Sequence, residues 1–141
     1  MNVLMLMIID GKNAVLGRLA AQVAKRLLKG EEVIIVNADK TIITGNPDTI
    51  LAEYTTRRQR GSTEFGPYYP KTPDAIVRRT VRGMLPYKTG RGREAFKKLR
   101  VHIDIPAELK IQEIVSAPAR NVKSDFMTLE KVSTLIGWKR V

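Results

Sequence analysis

Two apolar runs on either side of one amphipathic segment set the fold. MIID (7–10) and EVIIVNAD (32–39) each read as a short strand, and the second is continuously apolar, as a strand buried on both faces is. Between them, NAVLGRLAAQVAKRLLKG has helical spacing. Val15, Leu16, Leu19, Ala20, Val23 and Leu27 share one face, and Arg18, Gln22, Lys25 and Lys29 share the other. Asn13 is the expected N-cap and Gly30 the expected stop. Strands alternating with helices point to an α/β sandwich with a mainly parallel sheet.

The rest of the chain either extends that sheet or leaves it. TIITG (41–45) is a short third strand, and Asn46 followed by Pro47 opens a helix through Ile50, Leu51 and Tyr54. Segment 60–72, RGSTEFGPYYPKT, holds two Gly and two Pro and reads as an extended loop, expected to lack order without a ligand. Helix signals resume at Pro73–Asp74 and stop at Met84 or Leu85, before Pro86. TGRG (89–92) reads as a turn and REAFKKL as a short helix. RVHIDIP alternates Val101, Ile103 and Ile105 with polar neighbours, as a half-exposed strand would. Thr128 caps a last helix, LEKVSTLIG, closed by Gly137. At 141 residues without internal repeats, the chain is expected to be a single domain, 1–141.

Charge is distributed very unevenly along this domain. The formal net charge is +11, yet residues 1–56 carry six basic and six acidic side chains. Residues 57–100 carry thirteen basic side chains against Glu64, Asp74 and Glu94. Self-repulsion at that density costs stability, which a polyanionic partner relieves. The segment also prefers arginine, with nine Arg to four Lys, where the remainder has four Arg and eight Lys. Lysine suffices for solubility, whereas planar guanidinium suits bidentate phosphate contact and stacking.

The segment reads as a basic loop-helix excursion from the sheet. In the helix around Arg78, the apolar Ile76, Val77, Val81 and Met84 fall on one side and Arg78, Arg79 and Arg82 on the other. One face packs on the core and the other presents three guanidinium groups. Phe65, Tyr68, Tyr69, Tyr87 and Phe96 lie in the same segment, where exposed rings can stack on splayed nucleotides or anchor the loop to the core; Phe96 is expected to do the latter. Gly83, Gly90 and Gly92 stand among Arg82, Lys88, Arg91 and Arg93, where a missing side chain lets backbone approach phosphate. By charge and position the candidate polyanion contacts are Arg78, Arg79, Arg82, Lys88, Arg91 and Arg93, then Arg57, Arg58, Arg60 and Lys71, with Lys97 and Lys98 beside them.

Catalytic chemistry finds little support. There is no cysteine, so no thiolate metal site and no cysteine nucleophile. GKNAVLG between a strand and a helix invites a phosphate-loop reading, but Gly11 and Gly17 are six apart and Arg18-Leu19 follows in place of Lys-Ser/Thr. His102 is the lone histidine and sits on the polar side of a strand. Asp10, Asp39 and Asp104 fall near strand ends, where capping and turn roles account for them. No cofactor and no metal are expected. The apolar start MNVLMLMII is too short to span a membrane and lacks a signal peptide's basic start, so the expected location is the cytoplasm.

At VRGMLPYKTGRGREAFKKLRV the chain resembles the large-subunit ribosomal protein family called L-thirteen, in its archaeal form. IIDGKNAVLGRLAAQVAKRLLKG, VIIVNADKTIITGN and the ending TLEKVSTLIGWK are similar to the same family, over roughly Met7 to Lys139. Members usually lack the leading MNVLML, which leaves Met1 and Met7 both open as the start, and no role is carried onto 107–123. The resemblance implies a three-layer α/β/α sandwich and a non-enzymatic subunit. Such a subunit binds large-subunit rRNA, sits among neighbouring ribosomal proteins, and supports assembly in the cytoplasm. The resemblance carries the rRNA-binding role onto Arg78, Arg79, Arg82, Lys88, Arg91 and Arg93 first, and onto Arg57, Arg58, Arg60 and Lys71 second. Two other classes remain open at this stage: a general RNA- or DNA-binding module, and a small nucleotide-dependent enzyme.

Overall fold

The structure, a computed structural model, describes residues 6–60, 69–106, 115–116 and 125–139. Strand β1 (Leu6–Asp10) and strand β2 (Glu32–Val36) pair in parallel, Ile8 opposite Ile34 and Asp10 opposite Val36. Helix α1 (Leu16–Leu28) makes the crossover between them. Strand β3 (Ile42–Thr44) and helix α2 (Pro47–Gln59) follow, then α3 (Pro73–Gly83), α4 (Gly90–Lys97) and β4 (Leu99–Val101). The short β5 (Val115–Ser116), β6 (Phe126–Thr128) and α5 (Leu129–Leu135) complete the order. The main sheet runs β4-β2-β1-β5, parallel throughout, and β3 with β6 forms a separate antiparallel pair. The fold is mixed α/β with a small, mainly parallel sheet.

Strand alternation divides the apolar residues between the two faces of the sheet. Ile9, Val33, Ile35, Leu99 and Val101 join the larger core, with Met7 packed against it. Ile8 and Val36 form a second cluster with Ile34 and Ile105. All five helices send their buried residues into the larger core, among them Val23, Leu27, Ile50, Val77, Ala95 and Val132. Each fully buried Leu, Ile or Val there contributes roughly 1.5–3 kcal/mol relative to exposure. Among the described residues the helices pack into the larger core alone, so a single helical layer is described where a three-layer sandwich was expected. Most of the loop expected over 60–72 lies outside the described residues.

Several local expectations are met by their expected atoms. Asn46 Oδ1 accepts from the Asp48 amide at 2.9 Å and Pro47 opens α2. Gly30 and Gly137 take φ of 93° and 118° just past their helices, the left-handed stop that favours glycine. Thr128 Oγ1 accepts from the Lys131 amide at the start of α5.

Others are corrected. Asn13 does not cap α1; it turns left-handed at φ 62°, its amide donates to Lys40 O, and Val15 stands at the cap without a side-chain bond. The turn is stabilised instead by Asp10, whose Oδ1 accepts from the Lys12 amide and from Asn37 Nδ2, both at 2.9 Å. Strand β2 ends at Val36 because Asn37 turns to φ 56° and Ala38–Lys40 forms a 3-10 turn. Gly90 to Gly92 is no separate turn: Thr89 Oγ1 accepts from the Gly92 amide at 3.2 Å, so these residues are the first turn of α4. The RVHIDIP strand is shorter than expected and begins earlier, at Leu99.

Candidate nucleic-acid interface

Helix α3 carries the centre of the basic surface. Pro73 supplies its first turn with a fixed φ and no orphan N–H, and Asp74 complements the helix dipole. Ile76, Val77 and Val81 are fully buried, which turns the arginine positions outward as the spacing predicts. Met84 departs from that pattern: it caps the helix and is 43% exposed, while Leu85 fills the core position.

The arginines are not free in solvent. Arg78 Nη1 donates to Leu99 O at 2.8 Å, and its guanidinium lies 4.7 Å from the centre of the Phe96 ring. Arg82 lies 5.1 Å over Tyr87, whose ring meets Phe96 edge-on at 5.8 Å. Arg79 lies 5.7 Å over Tyr69. From α2, Arg57 sits between the Tyr54 and Tyr69 rings at 5.0 and 5.8 Å, donates to the Tyr69 hydroxyl and pairs with Glu53. Arg58 Nη1 donates to Tyr69 O at 2.6 Å. Two stacks result, one of Tyr54, Arg57, Tyr69 and Arg79, the other of Arg78, Phe96, Tyr87 and Arg82.

These contacts change what the rings do. Tyr69, Tyr87 and Phe96 seat guanidinium groups, and Phe96 packs against the core as expected. Phe65 and Tyr68 lie outside the described residues. A stacked guanidinium uses its flat face on the ring and keeps its in-plane N–H donors for an acceptor. Each such contact contributes roughly 0.5–1 kcal/mol at an exposed site. Part of the rotamer entropy of each long side chain, up to about 2 kcal/mol, is thereby lost on folding instead of on binding.

Burial of Tyr54, with the nearby Tyr69 adding to it, pushes the Tyr54 hydroxyl up to about 12 against the favourable field of Arg57. Burial disfavours the Arg57 charge, but the Tyr69 hydrogen bond, together with Tyr69, Glu53 and Tyr54, outweighs it and holds that pKa above the usual arginine value.

The remaining expected residues divide by exposure. Arg60, Lys71, Lys88, Arg91, Arg93 and Lys97 are exposed. Lys98 is half-buried, its Nζ donating to Gly30 O at 3.4 Å, which braces α4 against the turn after α1. Arg100 is exposed between Leu99 and Val101, so alternation puts it on the sheet face opposite the larger core.

Gly92 does not open a path to phosphate, because it is buried and a Cβ there would stand 1.9 Å from Pro86 O. Gly83 and Gly90 have open space instead. The Gly11 turn is filled as well: a Cβ at Gly11 would meet Thr41 at 2.9 Å, and the Asp10 carboxylate faces the turn's amide. That arrangement opposes a bound phosphate. Among the described residues no group of His, Asp and Glu is arranged to hold a metal ion, and no helix is long and apolar enough to cross a membrane.

Sequence reading missed Tyr54 and Glu53, which lie just outside the basic segment. Their spacing from Arg57, three and four residues on one helix, is the signal that could have found them. The meeting of Arg78 with Phe96 is a tertiary contact between α3 and α4 and has no local signal.

The family model for ribosomal protein L13 matches residues 4–108. A large ribosomal subunit protein uL13 from Methanosphaera stadtmanae is 51% identical, covering 96% of this chain and 99% of the relative. Its counterpart from Methanosarcina barkeri is 49% identical over 94% of this chain and 98% of its own length. The uL13 protein of Methanocaldococcus jannaschii is 45% identical with the same two coverages. With helix, sheet and basic surface in place and the match running nearly end to end, the chain belongs to the ribosomal protein L13 family.

Proposed function

We propose that this chain is a structural, non-enzymatic constituent of the large ribosomal subunit in the cytoplasm, and that it grips large-subunit rRNA with the surface built by α2, α3 and α4. Relatives at 45–51% identity carry the name large ribosomal subunit protein. The observation that carries the RNA assignment is the seating of Arg57, Arg78, Arg79 and Arg82 on aromatic rings within one basic surface. A surface kept basic only for solubility gains nothing from ordering its cations.

Arg79, Arg82, Lys88, Arg91 and Arg93 serve as the main phosphate contacts in this reading. Arg58, Arg60, Lys71 and Lys97 extend the surface, while Arg57, Arg78 and Lys98 hold it together through their internal bonds. A-form RNA hides its base edges in a deep, narrow groove, so the protein meets phosphates and 2′-hydroxyls of a folded junction. Specificity comes from matching fixed cations to one RNA shape. Neighbouring large-subunit proteins complete the surroundings and the protein supports assembly.

The test is binding of the purified protein to deproteinised large-subunit rRNA over a salt series, with excess transfer RNA as competitor. Binding that survives the competitor and falls log-linearly with salt is the expected outcome. Equal loss to transfer RNA would reduce the protein to a general nucleic-acid-binding module.

A further inference from the structure

We propose that Tyr69 is a positioning residue that sets the RNA specificity of this surface by fixing Arg57, Arg58 and Arg79 as one rigid bank; the inference rests on the rRNA-binding reading. Contacts from two helices converge on this residue. Its ring receives Arg57 of α2 at 5.8 Å and Arg79 of α3 at 5.7 Å. The hydroxyl accepts from Arg57 at 3.4 Å, the carbonyl accepts from Arg58 at 2.6 Å, and the ring meets Tyr54 edge-on at 6.1 Å. Tyr69 thus bonds backbone and side chain to cations that the sequence places in separate helices.

Arg57 is the bonded centre of this bank, held against two rings, Glu53 and the Tyr69 hydroxyl with its side chain still 41% exposed. Among the described residues Arg58 and Arg79 each meet Tyr69 through one contact, a backbone hydrogen bond for Arg58 and a ring face for Arg79, which leaves further guanidinium donors. Removing the ring leaves every charge in place. Non-specific binding follows the number of cations near phosphate, whereas specific binding also requires them to be ordered in the right places. Loss of Tyr69 therefore lowers the preference for the correct RNA and leaves the salt dependence alone.

The experiment compares Tyr69→Leu and Tyr69→Phe in the full chain, against deproteinised large-subunit rRNA and against transfer RNA over a salt series. Tyr69→Phe keeps both ring faces and stays within about twofold of the parent, since one neutral hydroxyl acceptor at 3.4 Å is lost. Tyr69→Leu loses two cation–ring contacts and weakens rRNA binding roughly five- to thirtyfold, with transfer RNA affinity and salt slope unchanged. Arg79→Lys keeps the charge, removes one stack and moves the same way by a smaller step; it provides the readout if Tyr69→Leu does not fold. Parental rRNA preference in Tyr69→Leu, or in Arg79→Lys where that is the readout, overturns the inference. So does a parallel loss toward both RNAs, or a shallower salt slope, because either means that charge has left the contact. A parent protein with no preference for rRNA over transfer RNA overturns the rRNA reading itself, and this inference with it, before any variant is compared.

Discussion

Helices α1 and α3 pack against each other over one core, and each shows a cationic face away from it. The two faces are built differently. On α1, Arg18 and Lys25 are exposed, and Arg26 pairs with Glu31 at 3.6 Å. On α3, Arg78, Arg79 and Arg82 are half-buried, each over an aromatic ring. Arg18 and Lys25 keep their rotamer freedom, which favours solubility; the α3 cations have given it up on folding. Comparable charge on neighbouring helices is therefore held in two ways, and the aromatic support distinguishes them.

The strongest way to break this comparison is to empty each face in turn. Replacing Arg78, Arg79 and Arg82 with Ala is expected to weaken rRNA binding at least about a hundredfold, since the phosphate bonds of Arg79 and Arg82 contribute roughly 1.5–3 kcal/mol each. The matching change on α1, Arg18, Lys25 and Lys29 to Ala, is expected to cost less than about tenfold, through loss of long-range attraction alone. Filter binding or anisotropy at one fixed salt measures both. Equal losses from the two helices would remove the distinction. The α3 variant also loses the Arg78 bond to Leu99 O, so its thermal midpoint falls by a few degrees while its circular dichroism stays native.

Next in size is the packing that seats the second stack. Gly92→Ala drives a methyl into Pro86 O and should destabilise the protein by about 2–3 kcal/mol, read by urea unfolding. Gly83→Ala has open space in the last turn of α3 and should stabilise by up to about 1 kcal/mol. Alkaline titration tests the first stack. The Tyr54 pKa is about 12 in the folded protein against an ordinary 10.0, so the folded state holds this proton more tightly. Its contribution is fully present below pH 10 and is lost as pH rises from there through about 12. Tyr54→Phe should flatten that alkaline decline in a pH series of melting curves. The smallest effect belongs to α1: Glu31→Ala breaks a long, partly buried ion pair at 3.6 Å, and its expected cost is about 1 kcal/mol with RNA binding unchanged.

How much of this was legible beforehand depended on the range of the interaction. The β1-α1-β2 unit shows plainly because its apolar period changes between strand and helix, and Asn46–Pro47 and Gly30 punctuate it with local chemistry. Asn13 misled because a cap residue before an apolar helix looks the same whether it caps or turns left-handed; Asp10 and Asn37 decide that through a contact across the sheet. Strands β5 and β6 are two and three residues long, too short for any alternation to register. The basic surface was visible as charge, since charge needs only counting. The seating of Arg78 on Phe96 and Arg79 on Tyr69 was not visible, because it depends on how helices and loop are placed in space.

The pairing of β6 with β3, joined to it by Leu129 donating to Thr41 O and Gly45 donating to Asp125 O, has a consequence for the order of events during synthesis. Met127, Leu129 and Val132 complete the core that Ile50 and Tyr54 begin, yet they are made some eighty residues later. Strand β1, likewise, waits for β5 to cover its other edge. Such long-range closure slows folding, because the loop entropy is lost before the contacts that offset it form. A nascent chain of this protein therefore displays its arginines well before it owns the scaffold that orders them. On the proposed rRNA reading, that interval leaves a chain that binds any polyanion by charge, with selectivity among RNAs arriving only when its last strand and helix lock into place.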